Sequence, residues 1–275
     1  MDSLDFTSNA TDALIRRDPR TIGWFLAGNK WFLVTLLSTY VYFVKFGGPR
    51  FMKTRKPYEG LKPVILFYNF AMVFLNAYFV KNYMRLSYFG GGYDIVCQGI
   101  NFDTNDKVSK EFLELCWWYF WVRVADFMDT IFFVLRKKDS HVSFLHVIHH
   151  VLVVFNGWYG LTFGPDGQVA LGIILNSFVH VVMYSYYFLS LLGPAVRPYL
   201  WWKRYLTQFQ LVQFVIMIVH ITIPIFVNCG YPKIHSVIVL VQAAFFFAMF
   251  MRFYAKAYSS KQNFAEANGS KQKVK

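Results

Sequence analysis

Acidic residues are scarce in this chain, and so are polar stretches long enough to fold as a soluble domain. The 275 residues include 15 Asp and Glu against 28 Lys and Arg, and 56% of all residues are hydrophobic. This composition is typical of a single integral membrane domain. The formal charge of +13 would attract nucleic acid, but the basic residues lie in short loops beside apolar runs. We therefore expect anionic lipid or a phosphorylated substrate as partner, and no nucleic acid.

Several signatures of other protein classes are missing as well. Three cysteines are too few for a disulfide framework. No Gly-x-Ser-x-Gly elbow marks a serine nucleophile. No repeat of about 20 to 50 residues indicates a solenoid, and an inverted-repeat transporter is equally unsupported. A solenoid is therefore excluded, and no serine-nucleophile motif is present.

Long apolar runs fill most of the chain. Runs of about 17 to 25 residues predict membrane-spanning helices. Seven such spans are predicted, at 29–47, 63–80, 112–135, 144–162, 169–191, 206–227 and 236–255. The expected fold is an all-α integral membrane protein with seven transmembrane helices.

The distribution of Lys and Arg predicts the orientation of these spans. With the N-terminus in the lumen, the loops and tail on the cytosolic side carry 17 Lys and Arg, against 9 on the other side. The cytosolic side retains such residues, so we expect a luminal N-terminus and a cytosolic C-terminus. Cys97 and Cys229 then share the luminal side, and we predict a disulfide between them. Cys116 lies within the third span and is expected to pack as an apolar residue.

Three segments follow from this topology. Residues 1–28 form a luminal N-terminal segment, 29–258 a seven-span catalytic membrane domain, and 259–275 a cytosolic tail. Asn9 begins a glycosylation sequon on the luminal side, although such triplets are common by chance. Lys271 and Lys273 resemble a dilysine signal for retrieval to the endoplasmic reticulum; a plain solvated basic tail is the alternative. The expected location is the endoplasmic reticulum membrane.

A histidine box, His146-Val-Ile-His149-His150, lies inside the fourth span. Residues at i, i+3 and i+4 share one face of a helix, so the three rings are expected to point the same way. Ionisable residues within a span are functional candidates by default. The box therefore marks the predicted site.

Three interpretations of this box compete. Metal ligation, as in membrane di-iron desaturases and hydroxylases, needs about eight histidines in several boxes, whereas this chain has seven and only one cluster. A structural role would have the imidazoles hydrogen-bond between helices. In the third, a desolvated neutral imidazole acts as nucleophile or general base without a metal. We favour this third interpretation, so no metal ligand is predicted.

Polar residues in three other spans reach a similar depth. Asp129 lies in the third span, and Gln213 in the sixth. The fifth span carries a stripe of polar residues at i, i+4, i+8 and i+11, namely Asn176, His180, Tyr184 and Tyr187. Basic residues flank the cytosolic mouth of this cluster and are candidates for binding phosphates: Arg136, Lys137, Lys138, Lys203 and Arg204. Positive-inside bias is the alternative explanation for them. A substrate that places phosphates at this mouth and an apolar tail in the interior beyond it has the chemistry of an acyl-CoA.

These residues resemble the very-long-chain fatty acid elongases of the ELOVL type, over essentially all seven spans. Besides the histidine box, the family's Thr-x2-Gln-x2-Gln pattern is met by Thr207, Gln210 and Gln213. Its Asn-x3-His-x2-Met-Tyr-x-Tyr-Tyr pattern is met by Asn176, His180, Met183, Tyr184, Tyr186 and Tyr187. The Lys-x2-Glu-x2-Asp-Thr pattern is met only by Asp129 and Thr130, because Arg123 replaces the Lys and Asp126 the Glu.

The resemblance implies the condensing step of fatty acid elongation. Malonyl-CoA would lose carbon dioxide and join a long-chain acyl-CoA, giving 3-oxoacyl-CoA, with no cofactor. It also implies six helices around an acyl tunnel with the first helix outside. Elongation-cycle reductases and a dehydratase are expected partners, and a homo-oligomer is compatible with the resemblance. A membrane desaturase or hydroxylase, or a non-enzymatic seven-span lipid transporter or receptor, is the alternative.

On this hypothesis each polar residue receives a role. His149 attacks the acyl thioester, and His180 assists at the same carbon. His146 and His150 orient charge or protons. Asn176 and Gln213 hydrogen-bond thioester oxygens, Asp129 orients an imidazole, and Tyr187 supports the site. Trp158, Phe178 or Phe246 would cap the acyl tunnel.

Overall fold

The computed structural model describes residues 17–259, and within that range every regular element is helical. Six of its helices are long and apolar enough to cross a membrane: Lys30–Met52, Glu59–Leu86, Phe144–Phe163, Gly167–Leu191, Lys203–Phe226 and Lys233–Tyr258. The protein is therefore an all-helical, multi-pass membrane protein. Asn9 and the basic residues of the C-terminal tail lie outside the described residues.

We number eight helices in chain order. They are α1 (Lys30–Met52), α2 (Lys62–Leu86), α3 (Lys107–Ala125), α4 (Phe127–Leu135), α5 (Phe144–Phe163), α6 (Ala170–Leu191), α7 (Lys203–Phe226) and α8 (Lys233–Tyr254). Side-chain caps set several starts, because the first backbone N–H groups of a helix lack partners within it. Asn29 accepts from the N–H of Phe32 at 3.1 Å, and Ser143 accepts from that of His146 at 3.2 Å.

The predicted third span is divided. Helix α3 begins at Lys107 and ends at Ala125, and α4 follows after Asp126, which keeps right-handed helical angles (φ −60°, ψ −17°). Helix α3 carries charged residues along its length, such as Lys110, Glu111 and Arg123. This charge explains why α3 is not among the six apolar helices.

Six helices contact one another in a closed ring, in the order α2, α6, α7, α8, α5, α3 and back to α2. Helix α1 lies outside the ring, against α4 and α5. It approaches closely at Gly48, where an added Cβ would lie 2.7 Å from a methyl group of Val134. Elsewhere along α1, the ring of Tyr40 stacks on the ring of Phe127 in α4, with the two ring centroids 3.9 Å apart. The interior of the ring is the natural place for a cavity.

The ring of helices has two chemically different ends. The disulfide end holds Cys97 and Cys229, whose sulfurs are bonded with Cα atoms 5.9 Å apart. The basic end holds the 136–143 loop and the start of α7. At the disulfide end, Gly167 has φ +72° and an added Cβ there would meet the carbonyl oxygen of Gly99 at 2.9 Å. Glycine is needed at that turn because L side chains avoid positive φ.

The described residues before α1, 17–29, pack against the disulfide end. Asp18 and Leu26 are fully buried. Arg20 donates to both oxygens of Asp166 at 2.8 and 3.0 Å and pairs with Asp18 at 2.6 Å. Burial alone would lower the pKa of Arg20, but its hydrogen bonds and the charges of the two carboxylates raise it above the ordinary value. Arg20 is therefore charged and links the segment before α1 to the turn that holds Asp166.

Replacing Arg20 by methionine is expected to destabilise the protein by about 3 to 5 kcal/mol, because two buried carboxylates lose their counter-ion. Thermal unfolding in detergent measures the effect. Arg85→Met is the matched control, since the Arg85–Glu111 ion pair is half exposed and exposed pairs contribute little. Equal melting temperatures for the two variants would contradict the proposed importance of the Arg20 cluster.

Candidate functional site

A cavity of about 190 Å³ lies inside the ring, lined mainly by α5, α6, α7 and α8. Helix α3 contributes Cys116 and Tyr119 to its wall. Most of the lining is apolar, and His149, Asn176 and Gln213 are part of it. Three of the predicted site residues, from three different helices, therefore face one space.

His149 faces the cavity between two aromatic side chains of α8. Its ring centroid is 5.0 Å from that of Phe246 and 6.4 Å from that of Phe250. Within the part of the chain that the structure describes, its Nδ1 is buried and has no hydrogen-bond partner. A buried polar atom without a partner costs free energy, so such an atom at a cavity wall indicates a place where a ligand binds.

The two amides beside His149 differ in what they offer a ligand. Asn176 accepts a hydrogen bond from the hydroxyl of Tyr119 at 2.9 Å through its Oδ1, which leaves its amide N–H groups for other partners. Gln213 is buried, and its Oε1 has no partner among residues 17–259. The amide N–H groups of Asn176 are therefore suited to a carbonyl oxygen.

The three rings of the histidine box lie close together, with the ring centroids of His149 and His150 5.8 Å apart, but they have different neighbours. The rings of His146 and His150 pack against each other at 4.4 Å, on the side of α1 and α4. Nε2 of His146 is 2.8 Å from Thr130 Oγ1, which is 2.9 Å from the hydroxyl of Tyr40. Only His149 of the three lines the cavity.

His180 contacts a buried charge cluster on α3. Nη1 of Arg123 donates to Nδ1 of His180 at 2.6 Å, and Nη2 donates to Asn76 at 2.7 Å. Asp126 pairs with Arg123 at 3.2 Å and lies 3.9 Å from the same imidazole nitrogen. A guanidinium can only donate, so the contact requires an unprotonated nitrogen on His180. Arg123 thus fixes both the orientation and the neutral form of this ring.

Asp129 is held by a tyrosine and has no hydrogen-bonded histidine among the described residues. The hydroxyl of Tyr184 is 2.7 Å from Asp129 Oδ2 and 2.8 Å from Asp126 Oδ1. A tyrosine hydroxyl has one proton, so it donates to one carboxylate at a time. The carboxylate that approaches an imidazole is therefore Asp126. Tyr187 contributes ring packing, with its centroid 5.9 Å from that of Tyr184.

The five predicted phosphate-binding residues are not equivalent. Burial lowers the pKa of His141, and the positive charges of Lys138 and Lys203 lower it further. Arg204 donates to the hydroxyl of Tyr254 at 2.8 Å. Lys137 instead lines a second cavity beside α1, and Arg136 is half buried at the end of α4.

Several site residues were missed from the sequence. Tyr40, Asn76 and Tyr119 complete the hydrogen bonds around the imidazoles, and Asn76 is fully buried in an apolar helix. An asparagine in the middle of a predicted span is the signal that would have identified it. Of the three predicted tunnel caps, Phe178 is 47% exposed and Trp158 does not line the cavity. Phe246 packs on His149 instead of closing the far end.

Comparison with known proteins places the chain among enzymes that lengthen fatty acids. The model of the ELO: GNS1/SUR4 family matches residues 25–266. Mouse very long chain fatty acid elongase 4 is 38% identical over 242 residues, covering 88% of this chain and 76% of that protein. Rat very long chain fatty acid elongase 7 is 38% identical over 247 residues, covering 89% and 87%. Mouse very long chain fatty acid elongase 1 is 37% identical over 253 residues, covering 91% and 89%. The chain belongs to the GNS1/SUR4 family of very long chain fatty acid elongases.

Proposed function

We propose that this chain catalyses the condensing step of fatty acid elongation, in which malonyl-CoA and a long-chain acyl-CoA give 3-oxoacyl-CoA and carbon dioxide. The observation that carries the proposal is the position of His149, whose imidazole lines a mainly apolar cavity together with Asn176 and Gln213. Membership of the elongase family supplies the class of reaction.

In the first step an imidazole nitrogen of His149 attacks the thioester carbon. The carbon–sulfur bond breaks, and the imidazole proton ends on the departing thiol of CoA. The acyl group is then held on His149 with its tail in the cavity. The amide of Asn176 donates to the oxygen that gains charge in the transition state, which is the main electrostatic contribution in acyl transfer.

In the second step malonyl-CoA occupies the space that CoA has left. Its carboxylate departs as carbon dioxide, and the electron pair left on the adjacent carbon forms the new carbon–carbon bond to the acyl group. The bond to His149 breaks, and the imidazole takes up one proton. We assign His180, which Arg123 holds neutral, as the residue that passes on this proton. The chain's own residues supply this chemistry, and no cofactor is part of the proposal.

The surroundings of the site fit a membrane-bound, CoA-dependent enzyme. We infer seven spans, with α3 and α4 together forming the third, a luminal N-terminus and an endoplasmic reticulum location. Lys138 and Lys203 would hold CoA phosphates at the basic end, together with Arg136, Arg204 and Lys137. Positive charges at the mouth of a cavity raise the local concentration of a negatively charged substrate such as an acyl-CoA.

Intact-protein mass spectrometry tests the covalent step directly. After incubation with acyl-CoA alone, we expect a mass increase equal to one acyl group, located on His149 by fragmentation and absent from His149→Ala. His141→Gln is the control, because that imidazole lies in the loop before α5 and does not line the cavity. A wild-type protein that makes 3-oxoacyl-CoA without forming this adduct would rule out the acyl-imidazole.

A further inference from the structure

The cavity that begins at His149 ends in a polar pocket, which an acyl tail with a methyl end does not require. This distal pocket consists of His235, Tyr159 and Tyr231, at the disulfide end of the cavity. The ring of His235 is 5.3 Å from that of Tyr159 and 5.9 Å from that of Tyr231. His235 and Tyr231 are each 5% exposed.

None of the three side chains has a hydrogen-bond partner among residues 17–259. The imidazole of His235 lies edge-on to both aromatic rings, and Tyr159 is only half buried. Buried imidazole and phenol groups are nearly always hydrogen-bonded in folded proteins. These three side chains face the same cavity, so a ligand that enters it can form hydrogen bonds with them.

Two helices give the same distance between this pocket and the reacting centre. Tyr159 lies ten residues after His149 on α5, and His235 lies eleven residues before Phe246, which packs on His149. At about 1.5 Å per residue, these separations are roughly 15 and 16 Å. An extended chain with carbon–carbon bonds of about 1.5 Å advances roughly 1.25 Å per carbon, so about 12 carbons span the interval.

The lining also restricts the chemistry of the occupant. No Lys, Arg, Asp or Glu lines this cavity within the described part of the chain. A buried carboxylate without a counter-ion is strongly disfavoured, so a dicarboxylic tail does not fit. A hydroxyl both donates and accepts, and it can satisfy the imidazole and a phenol together.

We propose that the distal pocket of His235, Tyr159 and Tyr231 binds a hydroxyl group at or near the far end of the acyl chain, so that the preferred substrates are omega-hydroxylated acyl-CoAs. This substrate class rests on the proposed condensing function. The pocket adds a selection that the apolar part of the cavity cannot make, because a site built to hydrogen-bond a hydroxyl rejects the analogue that lacks it.

Two partly buried amides lie between the reacting centre and the pocket. Asn156 on α5 and Gln242 on α8 line the cavity, and the Oε1 of Gln242 is unpartnered among the described residues. A hydroxyl placed in the middle of the chain would meet these amides instead. Hydroxyl position is therefore a variable of the experiment.

The test compares acyl-CoAs of equal length that end in a methyl, a hydroxyl or a carboxylate, together with a mid-chain hydroxyl isomer. The chain length is increased in steps of two carbons, starting from about 12, because the helix rise places the distal pocket about 12 carbons from the reacting centre. We expect the omega-hydroxyl compound to have a kcat/KM about tenfold higher than its methyl analogue, the effect of one neutral hydrogen bond. His235→Phe, Tyr159→Phe and Tyr231→Phe should reduce that ratio, while the exposed control Tyr78→Phe keeps it.

The ratio is measured within one preparation, so loss of folded protein in a variant cancels. If wild-type protein uses the methyl compound as well as or better than the hydroxyl compound, the proposal is wrong. It is also wrong if the mid-chain isomer is preferred, or if His235→Phe leaves the ratio unchanged. Should no acyl-CoA yield 3-oxoacyl-CoA, the condensing function fails, and the pocket is then judged by ligand-induced thermal stabilisation. Greater stabilisation by the hydroxyl compound than by the methyl compound would support it, and equal stabilisation would overturn it.

Discussion

His149→Ala is expected to lower kcat for 3-oxoacyl-CoA formation on the order of 10³-fold or more, whereas His146→Ala should cost roughly 10- to 100-fold. The difference follows from the different neighbours of the two histidines. His149 lines the cavity, but His146 contacts Thr130 at 2.8 Å on the side of α1. The nucleophile is lost in the first variant, and only an orienting contact is lost in the second.

Steady-state formation of 3-oxoacyl-CoA from labelled malonyl-CoA measures both effects. Thr130→Val is the matched control for His146, because it removes the same hydrogen bond while leaving the imidazole in place. We expect Thr130→Val and His146→Ala to lose similar activity. If His146→Ala were as inactive as His149→Ala, His146 would share the nucleophilic role and the assignment to His149 would fail.

The different neighbours of the three histidines are a consequence of helix geometry that the sequence contains. At about 100° per residue, His150 is offset about 40° from His146, whereas His149 is about 100° from His150. Positions i, i+3 and i+4 therefore share a broad face but not a direction. Which part of that face lines the cavity depends on the neighbouring helices, and the sequence of α5 alone does not determine where those helices lie.

The spans themselves could be predicted because bilayer thickness fixes their length. The long helices of the structure overlap the apolar runs at 29–47, 63–80 and 144–162 and the three runs that follow. The division at Asp126 was not predicted, since apolar content alone does not reveal where a helix is interrupted. The packing of residues 17–28 was also missed, because Arg20 finds Asp166 only after folding, 146 residues along the chain.

The distal pocket could not be predicted from the sequence, for a related reason. His235 directly precedes the predicted span 236–255, and Tyr159 and Tyr231 are two aromatic residues among many. Only the packing of α5 against α8 brings them together at one end of the cavity. Hydropathy patterns reveal which residues avoid water, but they do not reveal which buried polar groups lack a partner.

Arg123→Met is expected to destabilise the protein by about 3 to 5 kcal/mol and to lower kcat at the same time. Arg123 is 1% exposed and pairs with Asp126 at 3.2 Å, so its removal leaves a buried carboxylate uncompensated. The same substitution releases His180, whose Nδ1 accepts from Arg123 at 2.6 Å. Stability and catalysis therefore depend on one side chain through two different contacts.

A double substitution separates the two contributions. In Arg123→Met/Asp126→Asn the uncompensated charge is gone, and we expect the melting temperature to recover much of the loss. The imidazole of His180 still lacks its donor, so kcat should remain low even when corrected for folded protein. Asn76→Ala, which removes a contact of Arg123 that does not involve His180, should reduce stability more than kcat. Recovery of full activity together with stability in the double variant would show that Arg123 acts only on the fold, and that His180 needs no donor to function.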